Sequence, residues 1–411
     1  MSRSFVKKSL AELPPSGIRK FFDLVSSMRG VISLGVGEPD FVTPWHIREA
    51  GVYSLEKGCT NYTSNKGTEE LRREISRYLL RHFQLAYDYN SEILVTVGAS
   101  EAIDIALRAV LEEGDEVIIP EPCFVSYKPC TVMAGGTFKT IATQQADHFK
   151  LKPQDLEKAI TKRSKVLILS YPNNPTGAIM SGSELREIAR LAEKYDLLVI
   201  SDEIYSELTY EGEHVSFASL PGMKERTVLI NGFSKSYAMT GWRIGYAAAP
   251  EEILAAMTKL HQYTIMCAPI MGQIAAVEAL KNGAAEILKM KEQYKQRRSL
   301  IVNGLRRIGL PCFEPGGAFY AFPSIKETGM SSQEFCEILL NEEKVAVVPG
   351  DAFGECGEGY IRCAYAASVE QIGEALNRID RFVQRHAASA ARTGTLPAAG
   401  HTAAAKAGSR G

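Results

Sequence analysis

Short apolar runs alternate with amphipathic segments between residues 90 and 250. The runs are rich in Val, Ile and Leu, which is typical of strands buried on both faces of a parallel sheet. The predicted strands are Ile93–Val97, Glu116–Pro120, Lys165–Ser170, Leu197–Ser201, Thr227–Ile230 and Gly245–Ala249. Between them apolar residues recur three and four positions apart, so we predict helices such as Ser100–Leu111 and Ser183–Tyr195. This alternation predicts an α/β fold, a mostly parallel sheet with helices on both faces.

The pattern of apolar residues changes after residue 289. The elements predicted there are a charged helix, two strands and a closing helix, at Met290–Ile308, Glu314–Phe322, Lys344–Val348 and Val369–Arg385. We therefore predict a smaller α+β domain over 290–386, following a large domain over 46–289. The N-terminal segment 1–45 is too short to fold alone and is expected to pack on the small domain. Residues 387–411 are rich in Ala, Gly, Ser and Thr, which predicts a flexible tail.

Composition and charge narrow the classes of protein. The chain has 411 residues, 45% hydrophobic and 23% charged, which suits two domains with buried cores. Its 47 basic and 48 acidic residues leave a net charge of −1, so we expect no nucleic-acid or membrane partner. No apolar run is long enough to span a membrane, and the N-terminus lacks the apolar core of a secretory signal. The eight cysteines include no C-x-x-C pair, which argues for a cytoplasmic protein without a metal site.

A segment that contains a lysine directly follows the predicted strand Thr227–Ile230. It reads NGFSKSYAMTGWR from Asn231 to Arg243. Ligands of open α/β sheets bind at the carboxyl ends of strands. At such a place Lys235 could form an imine with an aldehyde, and Arg243 with nearby serines could hold a phosphate. A single lysine at a strand end is more often a solvated surface residue, but the whole segment favours the chemical role.

Three further segments carry polar groups where predicted strands end. Asp202 follows Leu197–Ser201, where it could pair with a protonated ring nitrogen or could cap a helix. The loop YPNNPTG contains Asn174, whose amide could reach a ligand because two prolines stiffen the loop; a plain turn is the alternative. The residues VGAS at 97–100 open a helix, and the free N–H groups of a helix N-terminus can bind an anion.

In chain order these segments supply an anion site, an amide loop, a carboxylate and a lysine. Together they resemble the class I aminotransferases, which are pyridoxal-phosphate enzymes of fold type I, over nearly the whole chain from Ser33 to Cys363. The segments at 239–243 and 347–350 are most similar to the gamma subgroup, in which bacterial N-acetyl-L,L-diaminopimelate, aromatic and aspartate aminotransferases occur. The resemblance implies a homodimer with pyridoxal 5'-phosphate that moves an amino group between an amino acid and a 2-oxo acid by a ping-pong mechanism.

The resemblance also implies a role for each matching residue. Lys235 would bond the cofactor and carry the proton, Asp202 would keep the ring nitrogen protonated, and Tyr205 would hydrogen-bond the ring hydroxyl. The residues implied to bind the cofactor are Tyr62, Ala99, Ser100, Phe124, Asn174, Asp202, Tyr205, Ser234, Lys235 and Arg243. Those implied to bind the substrate are Gly37, Phe124, Asn174 and Arg362. Of these, Tyr62 would reach the neighbouring subunit's phosphate and Arg362 would bind the α-carboxylate.

The sequence leaves substrate specificity open. Some relatives bind a side-chain carboxylate with an arginine that follows the cofactor lysine, but no arginine lies between Ile244 and Gln296. Lys66, His261 or the segment around Ile18 could serve instead. The amino acid could be an N-acetylated diaminopimelate precursor, an aromatic amino acid or aspartate, with 2-oxoglutarate as the expected acceptor. A lid made by the N-terminal segment and the small domain is also expected.

Two other classes of function stay open at this point. A β-lyase, a decarboxylase or a ring-forming synthase of the same fold type would keep Lys235 and Asp202. A regulator that only binds the cofactor would carry a basic DNA-binding domain before the motif at Ser33, and we expect none, because too few residues precede that motif.

Overall fold

The computed structural model of the protein describes residues 5–14 and 28–393, the side chains of 387–393 excepted. Its centre is a seven-stranded sheet in the order β2-β8-β7-β6-β5-β3-β4, in which β8 alone runs antiparallel to its neighbours. The strands of the chain are β1 Ile32–Ser33, β2 Ile93–Thr96, β3 Glu116–Glu121, β4 Thr137–Ala142, β5 Ser164–Ser170, β6 Leu198–Asp202, β7 Thr227–Gly232, β8 Gly245–Ala248, β9 Tyr320–Ala321, β10 Val345–Ala346, β11 Val348–Pro349 and β12 Ile361–Ala364. The predicted fold class is confirmed.

Helices cover both faces of this sheet. The helices are α1 Lys8–Ala11, α2 Trp45–Glu56, α3 Glu69–Phe83, α4 Gly98–Val110, α5 Tyr127–Met133, α6 Pro153–Ala159, α7 Gly182–Lys194, α8 Glu251–Thr264, α9 Ile270–Asn282, α10 Ala284–Arg307, α11 Ser332–Glu343 and α12 Val369–Thr393. Successive strand residues point to opposite faces. Accordingly Val166 and Ile168 pack in one core with α4 and α8, whereas Leu167 and Leu169 pack in another with α6 and α7. Burial on both faces explains why these strands read as continuous apolar runs.

The edge strand β4 was missed from the sequence. Of its six residues only Ile141 is buried, and the side chains at 137, 138, 140 and 142 are exposed. A strand of that kind leaves no apolar run to detect. The six predicted strands of the large sheet, by contrast, all form within one or two residues of their predicted bounds.

The C-terminal part differs from the prediction in its details. The charged helix begins at Ala284 rather than Met290, and Glu314–Phe322 contains only the short strand β9. The predicted strand Lys344–Val348 is two short strands, β10 and β11, which pair with different partners. The closing helix continues to Thr393, so residues 387–393 are helical and not tail, because the amphipathic pattern does not mark where a helix of small residues ends. Residues 394–411 lie outside the described part.

The segment after residue 28 packs on the C-terminal part of the chain. Strand β1 pairs in parallel with β10, and the backbone of Leu34 bonds to both Ala346 and Ala364. Leu34 is buried in the same core as helices α10 to α12 and strands β9, β10 and β12. The strand pairing therefore carries residues 35–40 towards the large sheet, whose carboxyl edge they meet at Gly37.

The order of the strands brings the polar segments of the sequence to one edge. Strands β2, β3, β5, β6 and β7 all end there, because they run parallel to one another. Arg243 joins them from the other direction, since it lies just before β8, the antiparallel strand that begins at this edge.

Within the described residues no helix is both long enough and apolar enough to cross a membrane.

Candidate active site

A cavity of about 380 Å³ opens at the carboxyl edge of the large sheet. All of the site residues predicted from the sequence except Tyr62 line it, namely Gly37, Ala99, Ser100, Phe124, Asn174, Asp202, Tyr205, Ser234, Lys235, Arg243 and Arg362. The lining also includes residues that the sequence did not single out: Val36, Glu38, Ile103, Tyr127, Ser170, Ile204, Thr240 and Tyr320. Segments that are far apart in the chain thus form one concave site.

Lys235 follows β7 and projects into this cavity. Its Nζ atom donates a hydrogen bond of 2.5 Å to the Gly37 carbonyl oxygen, and it lies 5.8–5.9 Å from the ring centres of Phe319 and Tyr205. Burial, helped by the positive charge of Arg362, lowers the pKa of Lys235 from 10.5 to about 8. An amine with this pKa is neutral often enough near physiological pH to act as a nucleophile and as a base.

Asp202 is the last residue of β6 and only 5% of it is exposed. Its Oδ2 atom accepts a hydrogen bond of 2.7 Å from the Tyr127 hydroxyl, and its Oδ1 atom accepts one of 3.2 Å from the Ile204 N–H. Burial raises the pKa of Asp202, while these two hydrogen bonds lower it. The bond to Ile204 shows that Asp202 also stabilises the turn after the strand. Sequence reasoning missed Tyr127, whose only local signal is that it begins a helix beside Phe124.

A second group of residues forms what we call the phosphate cradle: the Val97–Ser100 turn, Ser234 and Arg243. The N–H groups of the first helical turn, from Gly98 onward, have no partners within the helix. Gly98 has a φ of +74°, and a Cβ atom there would lie 2.5 Å from the Arg243 guanidinium, so that cation packs directly against the start of the helix. Free N–H groups, hydroxyls and a guanidinium together suit a phosphate.

Arg362 lies in β12 on the opposite side of the cavity. Its Nη1 atom donates to Asn174 Oδ1 at 2.9 Å and its Nη2 atom donates to the Gly35 carbonyl at 2.7 Å. The guanidinium also stacks 4.5 Å from the ring centre of Tyr320. Only 2% of Arg362 is exposed, and within the described residues it forms no ion pair and its Nε has no hydrogen-bond partner. A buried cation without a counterion favours an anionic ligand.

The loop after β5 holds Asn174 in place. The side chain of Asn173 accepts hydrogen bonds from the Thr176 N–H at 3.1 Å and from its hydroxyl at 2.8 Å. These bonds close the loop on itself, as short polar side chains do in turns. Asn174 is thereby left with its side chain directed at Arg362. The loop is both a turn and a ligand-facing segment, so the two interpretations weighed from the sequence are compatible.

Tyr320 is a further residue that the sequence did not reveal. Its hydroxyl lies 2.7 Å from the Tyr205 hydroxyl, and both side chains are buried. A Cβ atom on Gly37 would also lie 2.7 Å from the Tyr320 hydroxyl, so a larger residue than glycine would not fit at position 37. Burial raises the pKa of Tyr205, so its hydroxyl keeps its proton and can donate it to a ligand oxygen.

Three residues considered from the sequence do not line the cavity of their own chain. The Tyr62 side chain is exposed on the surface, with 80% of its area accessible. Lys66 donates a hydrogen bond of 2.8 Å to the Asn90 carbonyl oxygen. His261 is fully buried, with Nδ1 2.7 Å from Glu101 Oε1. Neither Lys66 nor His261 therefore faces a substrate in this cavity, and Ile18 lies outside the described residues.

Comparison with known proteins identifies the family. Residues 29–379 match the family described as aminotransferase class I and II. The chain is 57% identical over 382 residues to the "Putative aminotransferase YugH" of Bacillus subtilis, covering 93% of this chain and 99% of the relative. It is 46% identical over 373 residues to the aspartate aminotransferase of Pyrococcus abyssi, covering 90% and 96%. The crystal structure of an aromatic aminotransferase from Pyrococcus horikoshii superposes with a TM-score of 0.86 at 44% identity, covering 89% and 99%.

The chain therefore belongs to the class I and II aminotransferases. It is a pyridoxal-phosphate enzyme of fold type I that transfers an amino group between an amino acid and a 2-oxo acid, as predicted. The residues of the cavity fit that cofactor chemically. The cradle offers donors for a phosphate, Asp202 is a buried carboxylate that a ring N–H could meet, and the Lys235 amine lies in the same cavity.

Proposed function

We propose that this enzyme works by a ping-pong mechanism in which the amino group passes to the enzyme from one L-amino acid and is then given to 2-oxoglutarate. One observation carries the proposal. Lys235, whose pKa is about 8, shares a single cavity with Arg362, a buried cation that has no acidic partner among the described residues. An α-amino acid and a 2-oxo acid have in common a carboxylate next to the reacting carbon. Arg362 would bind that carboxylate in both half-reactions and so present the reacting carbon to Lys235.

Lys235 is the residue that bonds the cofactor and moves the proton in this proposal. When bound, pyridoxal phosphate supplies an aldehyde carbon and a ring that accepts electrons. When the substrate's amino group takes its place on the aldehyde carbon, the Nζ atom of Lys235 would be released, and the free amine would then accept the proton from the substrate's α-carbon and later release it. A pKa of about 8 suits both steps, because the same amine must accept and release a proton near neutral pH.

The remaining residues orient the ring. Asp202 would bind the ring nitrogen and keep it protonated, which is supported by its burial and by the Tyr127 hydrogen bond that holds its carboxylate in place. Tyr205 and Asn174 would hydrogen-bond the ring hydroxyl, and Phe124 would stack on the ring face. The phosphate cradle holds the other end of the molecule. The cavity volume of about 380 Å³ lies in the range of small-molecule and cofactor sites.

We further propose that the enzyme is a homodimer, with Tyr62 of each subunit reaching the phosphate of the other. Exposed apolar side chains support this proposal, and some of them line a groove that also includes Thr240 and Arg243 of the site. They include Val42, Trp45, Val52, Leu55, Tyr263, Ile265 and Met266. An exposed apolar surface of this kind is normally covered by another protein surface, and the Tyr62 side chain is exposed as well.

We also place the enzyme in the cytoplasm, which the eight free thiols of the chain support.

The charges in the cavity bear on how a substrate with a second carboxylate would bind. Its cationic side chains are Lys235, Arg243 and Arg362, each of which has a role in the proposal, and Glu38 adds a carboxylate at the rim. A second substrate carboxylate would need a cation from elsewhere, such as the partner subunit or the segment before residue 28. The second carboxylate of 2-oxoglutarate needs such a cation as well, so the charges do not rank the donors, and aromatic amino acids, aspartate and N-acetyl-L,L-diaminopimelate stay alternatives. The relatives above are named for aspartate and for aromatic substrates, and the names favour neither.

The visible absorption spectrum of the purified enzyme tests the proposal. Glutamate, aspartate, phenylalanine, tyrosine and N-acetyl-L,L-diaminopimelate are added one at a time. We expect a yellow band that bleaches with at least one of these donors and returns on addition of 2-oxoglutarate. A band that no donor bleaches would reject the proposed half-reaction. Bleaching by a donor with recovery only on other oxo acids would reject 2-oxoglutarate as the acceptor.

A further inference from the structure

His261 and Glu101 form a buried pair next to the phosphate cradle. His261 belongs to α8, its side chain is fully buried, and its Nδ1 atom lies 2.7 Å from Oε1 of Glu101. Glu101 lies in the first turn of α4, the helix that opens at the cradle. The Nε2 atom of His261 is buried and has no hydrogen-bond partner among the described residues. The pair is not part of the mechanism above, and neither residue lines the cavity.

The second carboxylate oxygen of Glu101 holds the backbone of the cradle. Its Oε2 atom accepts a hydrogen bond of 2.5 Å from the Val97 N–H. Val97 is the residue before the helix, and its side chain has no atom that could cap the helix. In most helices a Ser, Thr, Asp or Asn at this position would occupy an N–H group of the first turn. Here the turn is held by Glu101, a residue within the helix itself. The N–H groups of the first helical turn therefore stay available for an anion.

The cradle turn is packed tightly on its other sides. The Thr96 hydroxyl donates to the Gly98 carbonyl at 2.9 Å, and a Cβ atom on Gly245 would lie 2.5 Å from the Ala99 nitrogen. The turn therefore has little room to move towards the sheet, and Glu101 restrains it on the helix side. A free carboxylate in this place could also turn towards a bound phosphate and repel it.

We propose that His261 is a positioning residue for the cofactor phosphate. It orients the Glu101 carboxylate towards Val97, and Glu101 in turn holds the Val97–Ser100 turn in the shape that binds the phosphate. His261 itself does not touch the cofactor. The proposal rests on the assignment of the phosphate cradle in the proposed function.

The test compares two ligands that share the ring and the aldehyde but differ in the phosphate. The cofactor is removed from the full-length enzyme, and dissociation constants for pyridoxal phosphate and for pyridoxal are measured from the visible absorption band. The ratio of the two constants is the phosphate preference. His261→Leu should reduce this preference by about tenfold, the usual effect of losing one hydrogen bond to a charged group, and should leave the affinity for pyridoxal unchanged. His261→Asn should retain most of the phosphate preference, because the amide N–H of the asparagine can replace the Nδ1–H of the histidine as a donor to Glu101.

A second histidine, half-buried and paired with a buried carboxylate, provides a control. His214 Nε2 lies 2.9 Å from Glu203 Oε2, and that carboxylate holds the turn at Ser216 and Phe217. His214→Leu removes an equivalent pair and is expected to lower the melting temperature. If this change also disturbs the nearby Asp202, it should affect pyridoxal phosphate and pyridoxal equally, because both ligands contain the ring. The phosphate preference, which is the ratio of their dissociation constants, should therefore not change.

The outcomes separate the two proposals. If His261→Leu weakens both ligands equally, or leaves the preference unchanged, the positioning role is wrong. If the unmodified enzyme itself shows no preference for the phosphate, the cradle assignment fails and with it part of the proposed function. Should His261→Leu fail to fold, His261→Asn is compared with His261→Gln, whose amide matches Nε2 instead of Nδ1. A higher preference in the Asn variant supports the role, and equal preferences overturn it.

Discussion

The Tyr127 hydroxyl donates a 2.7 Å hydrogen bond to the Asp202 carboxylate, although the two residues are 75 positions apart in the chain. Both side chains are buried, so the bond is not replaced by water. It lowers the pKa of Asp202 against the raising effect of burial. In the proposed function Asp202 stays ionised to hold a protonated ring nitrogen, so that role would depend on a phenol that the sequence did not reveal.

Tyr127→Phe should reduce kcat by roughly tenfold, because a buried carboxylate loses a hydrogen bond and its pKa rises further. The cofactor should also bind more weakly. Steady-state kinetics and a cofactor titration measure the two effects. Tyr171→Phe is the matched control, since the buried Tyr171 hydroxyl bonds to the backbone of Phe149 and Leu151 outside the cavity. An equal loss of kcat in both variants would contradict the role of Tyr127.

Lys235→Ala should abolish nearly all transamination, by roughly 10³-fold or more, because no other lysine lines the cavity in the part of the chain that the structure describes. The cradle and Asp202 are unchanged, so the cofactor should still bind, but without a covalent bond. Borohydride reduction followed by mass spectrometry distinguishes the two states: the unmodified chain retains the cofactor mass and the variant does not. Undiminished turnover in the variant would show that the lysine is misassigned.

The stability of the cofactor-free enzyme should depend on pH in part through Lys235. Its folded pKa of about 8 is below its ordinary value of 10.5, so the unfolded chain binds the proton more tightly. The destabilisation by Lys235 is complete below about pH 8 and disappears as the pH rises towards about 10.5, so the contribution of Lys235 to stability increases over this range. Unfolding by denaturant at several pH values measures the slope. Lys235→Met should flatten it, whereas Lys66→Met should not, and an identical slope in all three proteins would refute the low pKa.

Arg362→Ala should raise KM for both the amino acid and the oxo acid, on the order of 100-fold, since a bidentate contact with a carboxylate is lost. Cofactor affinity should change little. Arg298→Ala serves as a control, because Arg298 is also buried and bonds to the Pro315 carbonyl and Glu211 away from the cavity. That control should affect stability more than KM. Loss of the cofactor from the Arg362 variant would mean that this arginine holds the cofactor and not the substrate.

Hybrid dimers test whether the two subunits share their active sites. A subunit with Tyr62→Ala and one with Lys235→Ala, when paired, should form one intact site and one doubly defective site. Such hybrids should show about half the activity of the unmodified dimer, although the Tyr62→Ala and Lys235→Ala homodimers should each have little activity. Pairing Lys235→Ala with Tyr205→Ala should give no recovery, because both defects lie in the same chain's cavity. Equal activity of the two kinds of hybrid, or a monomeric enzyme, would exclude a trans role for Tyr62.

The sequence by itself determined the class of fold and most of the site. Strands that are buried on both faces appear in the sequence as apolar runs. The polar residues Lys235, Asp202 and Asn174 lie where such runs end. Parallel strands bring their carboxyl ends together, so the position of these residues along the chain was enough to predict that they meet. The family resemblance then extended the prediction to Arg362, which has no such local signal.

Only the tertiary structure decided which side chains complete the site and which do not. The partners Tyr127 and Tyr320 contact Asp202 and Tyr205 over 75 and 115 positions, and the pairing of His261 with Glu101 spans 160. Local patterns carry no information on such contacts, since they depend on how whole helices and strands pack. The same reason explains why the edge strand β4, with few buried residues, was missed, and why His261 was considered a substrate ligand although it is buried.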